Sequence, residues 1–80
     1  MPRYLLFHRH EPQECGVAFA AFRGSGPELR LRASVASCLW GGHELWLVVD
    51  AGSEDEALAA LPFFVAQRTT VTRVSDVAIP

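Results

Sequence analysis

The segment Arg3–Arg9 carries apolar side chains on both of its faces. Tyr4 and Leu6 lie on one face, and Leu5 and Phe7 lie on the other. An extended segment with this pattern is typical of a strand that is covered on both sides. We therefore expect it to be a buried strand of a sheet.

Two helices are predicted after this strand. Pro12 suits the first turn of one helix, and Cys15 starts an apolar stripe that Ala18, Phe19 and Phe22 continue at helical spacing. Gly24 follows the stripe and is expected to end this helix.

The second helix has a capping-box signature. Ser53 is the expected cap residue and Glu56 lies three positions later. Pro62 should end this helix because proline lacks the amide hydrogen that a helix needs.

Three further strands are predicted. Residues 29–40 and 43–51 flank Gly41 and Gly42, which are typical of a two-residue hairpin turn. Residues 69–79 are rich in β-branched side chains and form the last strand. In the predicted hairpin, Trp40 pairs with His43 and Cys38 pairs with Leu45.

The order of these elements is β-α-β-β-α-β, which predicts a ferredoxin-like fold of the α+β class. Its four-stranded antiparallel sheet has the spatial order 4-1-3-2, with both helices on one face. The 80 residues form a single domain.

The pleat of the sheet divides its residues between two faces. We expect the helices to cover the face of Leu5, Phe7, Leu29, Leu31, Val35, Leu39, Trp46 and Val48. The open face then carries Tyr4, Leu6, His8, His10, Cys38, Trp40, His43, Leu45, Leu47 and Val49.

Four potential metal ligands meet at one end of that predicted open face. They are His8, His10, Cys38 and His43. Imidazole nitrogen and thiolate sulfur suit zinc, nickel or copper, so the leading hypothesis is a transition-metal site. Cys15 is the weakest ligand candidate, because its helical stripe is predicted to face the other side of the sheet.

The same open face would be too apolar to contact water. Leu6, Leu45, Leu47 and Val49 would form a patch there, which predicts a homodimer that packs sheet on sheet.

Composition excludes several other partners. Seven basic and nine acidic residues give a net charge of −2, which argues against nucleic-acid binding. No apolar run is long enough for a membrane span or resembles a signal peptide, so a cytoplasmic protein with reduced cysteines is expected.

Two alternatives remain beside the metal hypothesis. One is an enzyme or carrier with an apolar organic ligand, lined by Tyr4, Trp40 and Trp46, in which His8, His10 or His43 transfers protons. The other is a dimer without any ligand. No known catalytic motif is present, and no catalytic residue is assigned.

The chain resembles the small dimeric α+β-barrel proteins. The similarity lies in the order of elements, the Gly41-Gly42 hairpin, and the segments Pro2-Arg3-Tyr4-Leu5-Leu6, Ser53-Glu54-Asp55-Glu56-Ala57 and Thr72-Arg73-Val74-Ser75-Asp76-Val77. That group includes metal-binding bacterial proteins, monooxygenases, isomerases and cyclases. The resemblance implies an architecture and transfers no functional residue.

Overall fold

The computed structural model describes residues 1–24 and 34–80 of the chain. Within them a four-stranded antiparallel sheet carries short helices, which confirms the α+β class. The strands are β1 (Arg3–Arg9), β2 (Val35–Ala36), β3 (Glu44–Asp50) and β4 (Thr69–Val74). The helices are α1 (Cys15–Arg23), α2 (Glu54–Ala59) and α3 (Phe63–Ala66).

The sheet has the order β2-β3-β1-β4, which is β4-β1-β3-β2 when it is followed from the β4 edge. Strand β1 therefore lies inside the sheet, between β3 and β4. Its register places Leu6 opposite Leu47 on β3 and opposite Val71 on β4. Strand β1 therefore has a partner strand along both of its edges. The predicted cover on both faces is not observed, because Leu5 and Phe7 are only partly buried.

The hydrophobic core lies between one face of the sheet and the helices. It contains Tyr4, Leu6, Leu45, Leu47, Val49, Ala51, Ala57, Leu61 and Val65. Ala21 and Phe22 of α1 and Leu58 of α2 pack against this cluster. All three helices therefore contribute to a core on a single face of the sheet.

The predicted assignment of the two faces is wrong. Tyr4 and Leu6 lie under the helices, whereas Val35 and Val48 on the opposite face are 67% and 40% exposed. Leu5, Phe7 and Trp46 share that open face and are only partly buried. The predicted dimer patch of Leu6, Leu45, Leu47 and Val49 is consequently the core of the domain.

The helices begin and end close to the predicted residues. A 3₁₀ turn, Pro12–Glu14, leads into α1, and Gly24 caps the end of that helix. Ser53 caps α2 by accepting a hydrogen bond from the Glu56 amide at 3.2 Å. Pro62 separates α2 from α3, as expected from its missing amide hydrogen.

The connection between β2 and β3 is longer than the predicted hairpin. Strand β2 ends at Ala36, which pairs with Leu45, and a second 3₁₀ turn covers Cys38–Trp40. The predicted pairs of Trp40 with His43 and of Cys38 with Leu45 are therefore wrong. Part of the predicted strand 29–40 lies outside the described residues, as do residues 25–27 of the loop after α1.

Strand β4 is also shorter than the predicted strand 69–79, because its ladder ends at Val74. Among the described residues, no helix is long and apolar enough to span a membrane.

Candidate metal centre

Four side chains with nitrogen or sulfur donor atoms meet at one end of the covered sheet face. They are His10, Cys15, Cys38 and His43, and one donor atom from each lies within 4.8 Å of all the others. Three of the four predicted ligands are thus brought together, and Cys15 joins them. His8 lies beside this group of four.

The β1–β3 ladder positions the two histidines of the group. Arg9 pairs with Glu44 at the end of the ladder, and the backbone amide of His10 donates to the carbonyl of His43 at 3.2 Å. His10 and His43 are therefore cross-strand neighbours just beyond the last pair of β1 and β3. Their ring centroids are 5.4 Å apart.

His43 adopts a strained backbone conformation. Its φ of 51° lies in the left-handed region, where it is the only described residue other than glycine. A conformation of this kind costs a non-glycine residue about 1–2 kcal/mol. The Nδ1 atom of His43 is buried and has no hydrogen-bond partner among the described residues. A strained backbone together with a buried, unpaired ring nitrogen is expected of a residue that binds a ligand.

The loop before β3 positions Cys38. Ser37 closes the loop, because its amide donates to the Glu44 carbonyl at 2.8 Å and its Oγ accepts from the Glu44 amide at 3.1 Å. Gly42 packs against Ser37 so closely that a Cβ atom on Gly42 would meet Ser37 Oγ at 2.3 Å. Gly41 supplies a left-handed φ of 87°. Two glycines thus fold the segment so that Cys38 and His43 face the same point.

The start of α1 positions Cys15. The Glu11 amide donates to Glu14 Oε1 at 2.9 Å, which holds the 3₁₀ turn that precedes the helix. Arg68 donates to Glu14 Oε2 at 2.9 Å and lies 3.8 Å above the Phe64 ring. These contacts tie the residue before Cys15 to α3 and to the start of β4.

The prediction that Cys15 faces away from the histidines is wrong. Helix α1 packs on the face that carries the histidines, so its apolar stripe faces them. Phe19, one turn after Cys15, contacts the His10 ring edge-on with centroids 6.3 Å apart. The His8 ring makes the same kind of contact with Phe22 at 5.9 Å. The stripe that predicted the helix therefore also brings Cys15 to the site.

His8 and His10 are buried histidines with direct contacts to each other. The two residues are 0% and 4% exposed, and His8 Nε2 lies 3.1 Å from His10 Nδ1. Burial lowers the pKa of His8, and the neighbouring His10 lowers it further. Burial also lowers the pKa of His10, and His43 adds to that effect. Both imidazoles therefore remain neutral at pH 7, which is the form that binds metal ions.

The two thiols are free and adjacent. Neither Cys15 nor Cys38 forms a disulfide. Burial raises the pKa of the Cys38 thiol, and a hydrogen bond with Cys15 raises it further. Cys38 Sγ also lies 3.6 Å from His10 Nε2. A metal ion at this position would displace the thiol protons, because thiolate sulfur is the form that coordinates.

The aromatic residues assigned to an apolar ligand cleft do not converge. Tyr4 is 4% exposed in the core, and Trp40 is 89% exposed at the tip of the loop. Trp46 lies on the open face, where its ring packs against Phe7 at an interplanar angle of 36°, with centroids 5.5 Å apart. The predicted lining of that cleft by Tyr4, Trp40 and Trp46 is therefore wrong.

Thr69 is a neighbour of the site that no sequence pattern indicates. The β1–β4 register pairs Thr69 with His8, and Thr69 Oγ1 lies 3.3 Å from His8 Nδ1. These two residues are 61 positions apart in the chain, and the pairing of β1 with β4 brings them together.

Comparisons with known proteins assign no family to this arrangement. Known protein families, curated protein sequences and solved structures yield no match for the chain.

Proposed function

We propose that this protein binds one transition-metal ion through His10, Cys15, Cys38 and His43. The observation that carries the proposal is the set of four donor atoms within 4.8 Å of one another. A tetrahedral zinc site with nitrogen and sulfur ligands has neighbouring donors about 3.3–3.8 Å apart, as its bond lengths of about 2.0–2.3 Å require. The four side chains would need to close by about 1 Å to reach that geometry.

Zinc is the metal that this donor set fits best. Two imidazoles and two thiolates form one of the common structural zinc sites. Nickel and copper share the preference for nitrogen and sulfur ligands and are the alternatives. Four protein ligands leave no open position for a substrate, so we assign the metal a structural role rather than a catalytic one.

The location of the ligands supports that role. His10 follows β1, Cys15 begins α1, Cys38 lies in the second 3₁₀ turn and His43 precedes β3. One ion would therefore connect four separate parts of the chain. A domain of 80 residues has a small core, and a structural metal is a common way to stabilise such a domain.

We further propose that the domain is ferredoxin-like and works in the cytoplasm. The order of the strands within the sheet and the single helix-covered face support this fold. Two unpaired thiols suit a reducing compartment, which keeps them available to a metal.

Homodimerisation remains part of the proposal, with the open face as its surface. Leu5, Phe7, Val35, Trp46 and Val48 lie there, and Val35 and Val48 are exposed. Apolar side chains on one sheet face favour burial against another surface.

The dimer is tested by light scattering on Val48→Lys. The control is Val77→Lys, because Val77 is 80% exposed and lies outside the sheet. We expect a dimer for the wild type and the control and a monomer for Val48→Lys. A monomeric wild type would refute dimerisation, and a dimeric Val48→Lys would refute this surface.

The metal site is tested by elemental analysis of protein purified without a metal-affinity tag. We expect one ion per chain in the wild type and loss of that ion in Cys15→Ser and His43→Asn. Asparagine is chosen because it tolerates the left-handed backbone of residue 43. Trp40→Ala is the loop control, since Trp40 is 89% exposed, and this variant should keep the metal.

Two results would contradict the metal proposal. One is a wild-type protein that takes up no stoichiometric zinc, nickel or copper after it is loaded under reducing conditions. The other is unchanged metal content in Cys15→Ser and His43→Asn.

A further inference from the structure

His8 is fully buried beside the proposed metal site, yet it lies outside the group of four ligands. Both of its ring nitrogens have polar contacts. Nδ1 lies 3.3 Å from Thr69 Oγ1, and Nε2 lies 3.1 Å from His10 Nδ1. These two contacts connect β4 to the ligand His10 through a single imidazole ring.

The hydroxyl of Thr69 determines the direction of the chain of hydrogen bonds. Its Oγ1 donates to the backbone carbonyl of Val65 at 2.6 Å. A hydroxyl has only one proton, so toward His8 it can only accept. The proton of the His8–Thr69 contact must therefore be on His8 Nδ1.

The same reasoning continues to His10. A neutral imidazole has one N–H and one bare nitrogen, so His8 Nε2 is bare and accepts. The proton of the contact between the two rings then belongs to His10 Nδ1. His10 Nε2 is left without a proton, and this atom lies 3.6 Å from Cys38 Sγ.

We propose that Thr69 and His8 fix the tautomer of His10, so that its bare Nε2 is presented to the metal ion. Thr69 and His8 are positioning residues, because they act on the metal through His10. Metal-binding histidines usually donate their other N–H to a carboxylate or a carbonyl group. Here a second imidazole accepts that hydrogen bond, and a threonine hydroxyl orients it. This inference rests on the proposed metal site, but the tautomer can be observed without a metal.

The first test is the protonation pattern of the imidazoles in metal-free protein. Long-range ¹H–¹⁵N correlation spectra distinguish protonated from bare ring nitrogens. At pH 7.5 we expect His8 and His10 both to be protonated at Nδ1 and bare at Nε2. A wild-type spectrum with the proton of His10 on Nε2 would overturn the proposal.

Thr69→Val and Thr69→Ser provide a matched pair of variants. Valine keeps the branched shape but removes the hydroxyl, whereas serine keeps the hydroxyl. We expect Thr69→Ser to retain the wild-type tautomers and Thr69→Val to show a mixture of both tautomers of His8 and His10. Wild-type tautomers in Thr69→Val would overturn the role of Thr69.

The second test is zinc affinity, measured by competition with a chromophoric chelator. Loss of this kind of supporting hydrogen bond typically weakens metal binding about 10–100-fold. We expect a decrease of that size for Thr69→Val and for His8→Phe, which keeps a ring against Phe22. Thr69→Ser should bind zinc as the wild type does.

The outcomes separate the two proposals. If the wild type shows the expected tautomers but binds no zinc, nickel or copper, the metal function fails and the fixed tautomer stands. If it binds zinc and Thr69→Val binds equally well, the metal site stands and the positioning role fails.

Discussion

Gly42→Ala should destabilise the protein, and the loop geometry sets the size of the effect. A Cβ atom at this position would lie 2.3 Å from Ser37 Oγ and 2.8 Å from Ser37 Cβ. Rotation of the serine side chain would move Oγ but not Cβ, so the backbone must shift. Overpacking of this kind costs about 1–3 kcal/mol.

The shift would also break the hydrogen bonds that close the loop. The Glu44 amide donates to Ser37 Oγ at 3.1 Å, and the Ser37 amide donates to the Glu44 carbonyl at 2.8 Å. Loss of one such bond contributes about 0.5–1.5 kcal/mol. The total is about 1.5–4.5 kcal/mol. At about 4–8 °C per kcal/mol, this would lower the Tm of a domain of this size by about 6–36 °C.

The matched control is Gly16→Ala in α1. A Cβ atom at Gly16 would meet nothing within 4 Å, and this residue is exposed. Alanine favours the helix over glycine by up to about 1 kcal/mol, so this variant should be as stable as the wild type or more stable. Urea unfolding of metal-free protein measures both. Equal stability of Gly42→Ala and Gly16→Ala would refute the account of the loop.

Three further predictions concern stability and thiol reactivity. Metal-free protein should become less stable as the pH falls below about 6.5, because burial lowers the pKa of His8 and His10 and the unfolded chain takes up protons first. The free energy of unfolding should fall by at most about 1.4 kcal/mol per pH unit for each histidine. Urea unfolding at several pH values measures this, and a free energy of unfolding that does not change with pH would contradict the prediction. Zinc should protect Cys15 and Cys38 from alkylation by iodoacetamide, and equal labelling with and without zinc, measured by mass spectrometry, would count against coordination by sulfur. Leu6→Ala should lose about 2–5 kcal/mol, since Leu6 is 0% exposed, and a loss below 1 kcal/mol in the same unfolding assay would contradict the position of the core.

The sequence predicts the elements of this fold well because their signals are local. A short apolar run predicts β1, Ser53 predicts the start of α2, and Pro62 predicts its end. Each of these signals depends on residues within one turn or one strand. For that reason they do not require knowledge of how the elements pack together.

The choice of the covered face could not be made from the same signals. Both faces of β1 are apolar, so alternation alone does not show which one the helices cover. Strand β4 contains a clue, because Thr70 pairs with Phe7 and Thr72 pairs with Leu5, whereas Val71 pairs with Leu6. Two threonines mark the open face, but only once the β1–β4 register is known.

The metal site was partly predictable, because the strand order brings the end of β1 beside the connection between β2 and β3. Cys38 lies in a 3₁₀ turn after β2 rather than in a strand, and this turn together with Gly41 and Gly42 brings Cys38 and His43 to His10. The predicted convergence of these three residues is therefore observed, although the predicted two-residue hairpin is not. The error about the covered face removed Cys15 from the predicted ligands. Thr69 contacts His8 through the β1–β4 register, which no local pattern in the sequence indicates.

The composition of the metal shell is the most direct test of the account. X-ray absorption spectroscopy of the zinc-loaded, tag-free protein would count the donors around the ion. We expect two sulfur ligands at about 2.3 Å and two nitrogen ligands at about 2.0–2.1 Å. In Cys15→Ser, one sulfur ligand should be lost. A shell of light atoms only, or a sulfur count that Cys15→Ser leaves unchanged, would contradict the assignment of His10, Cys15, Cys38 and His43 as the metal ligands.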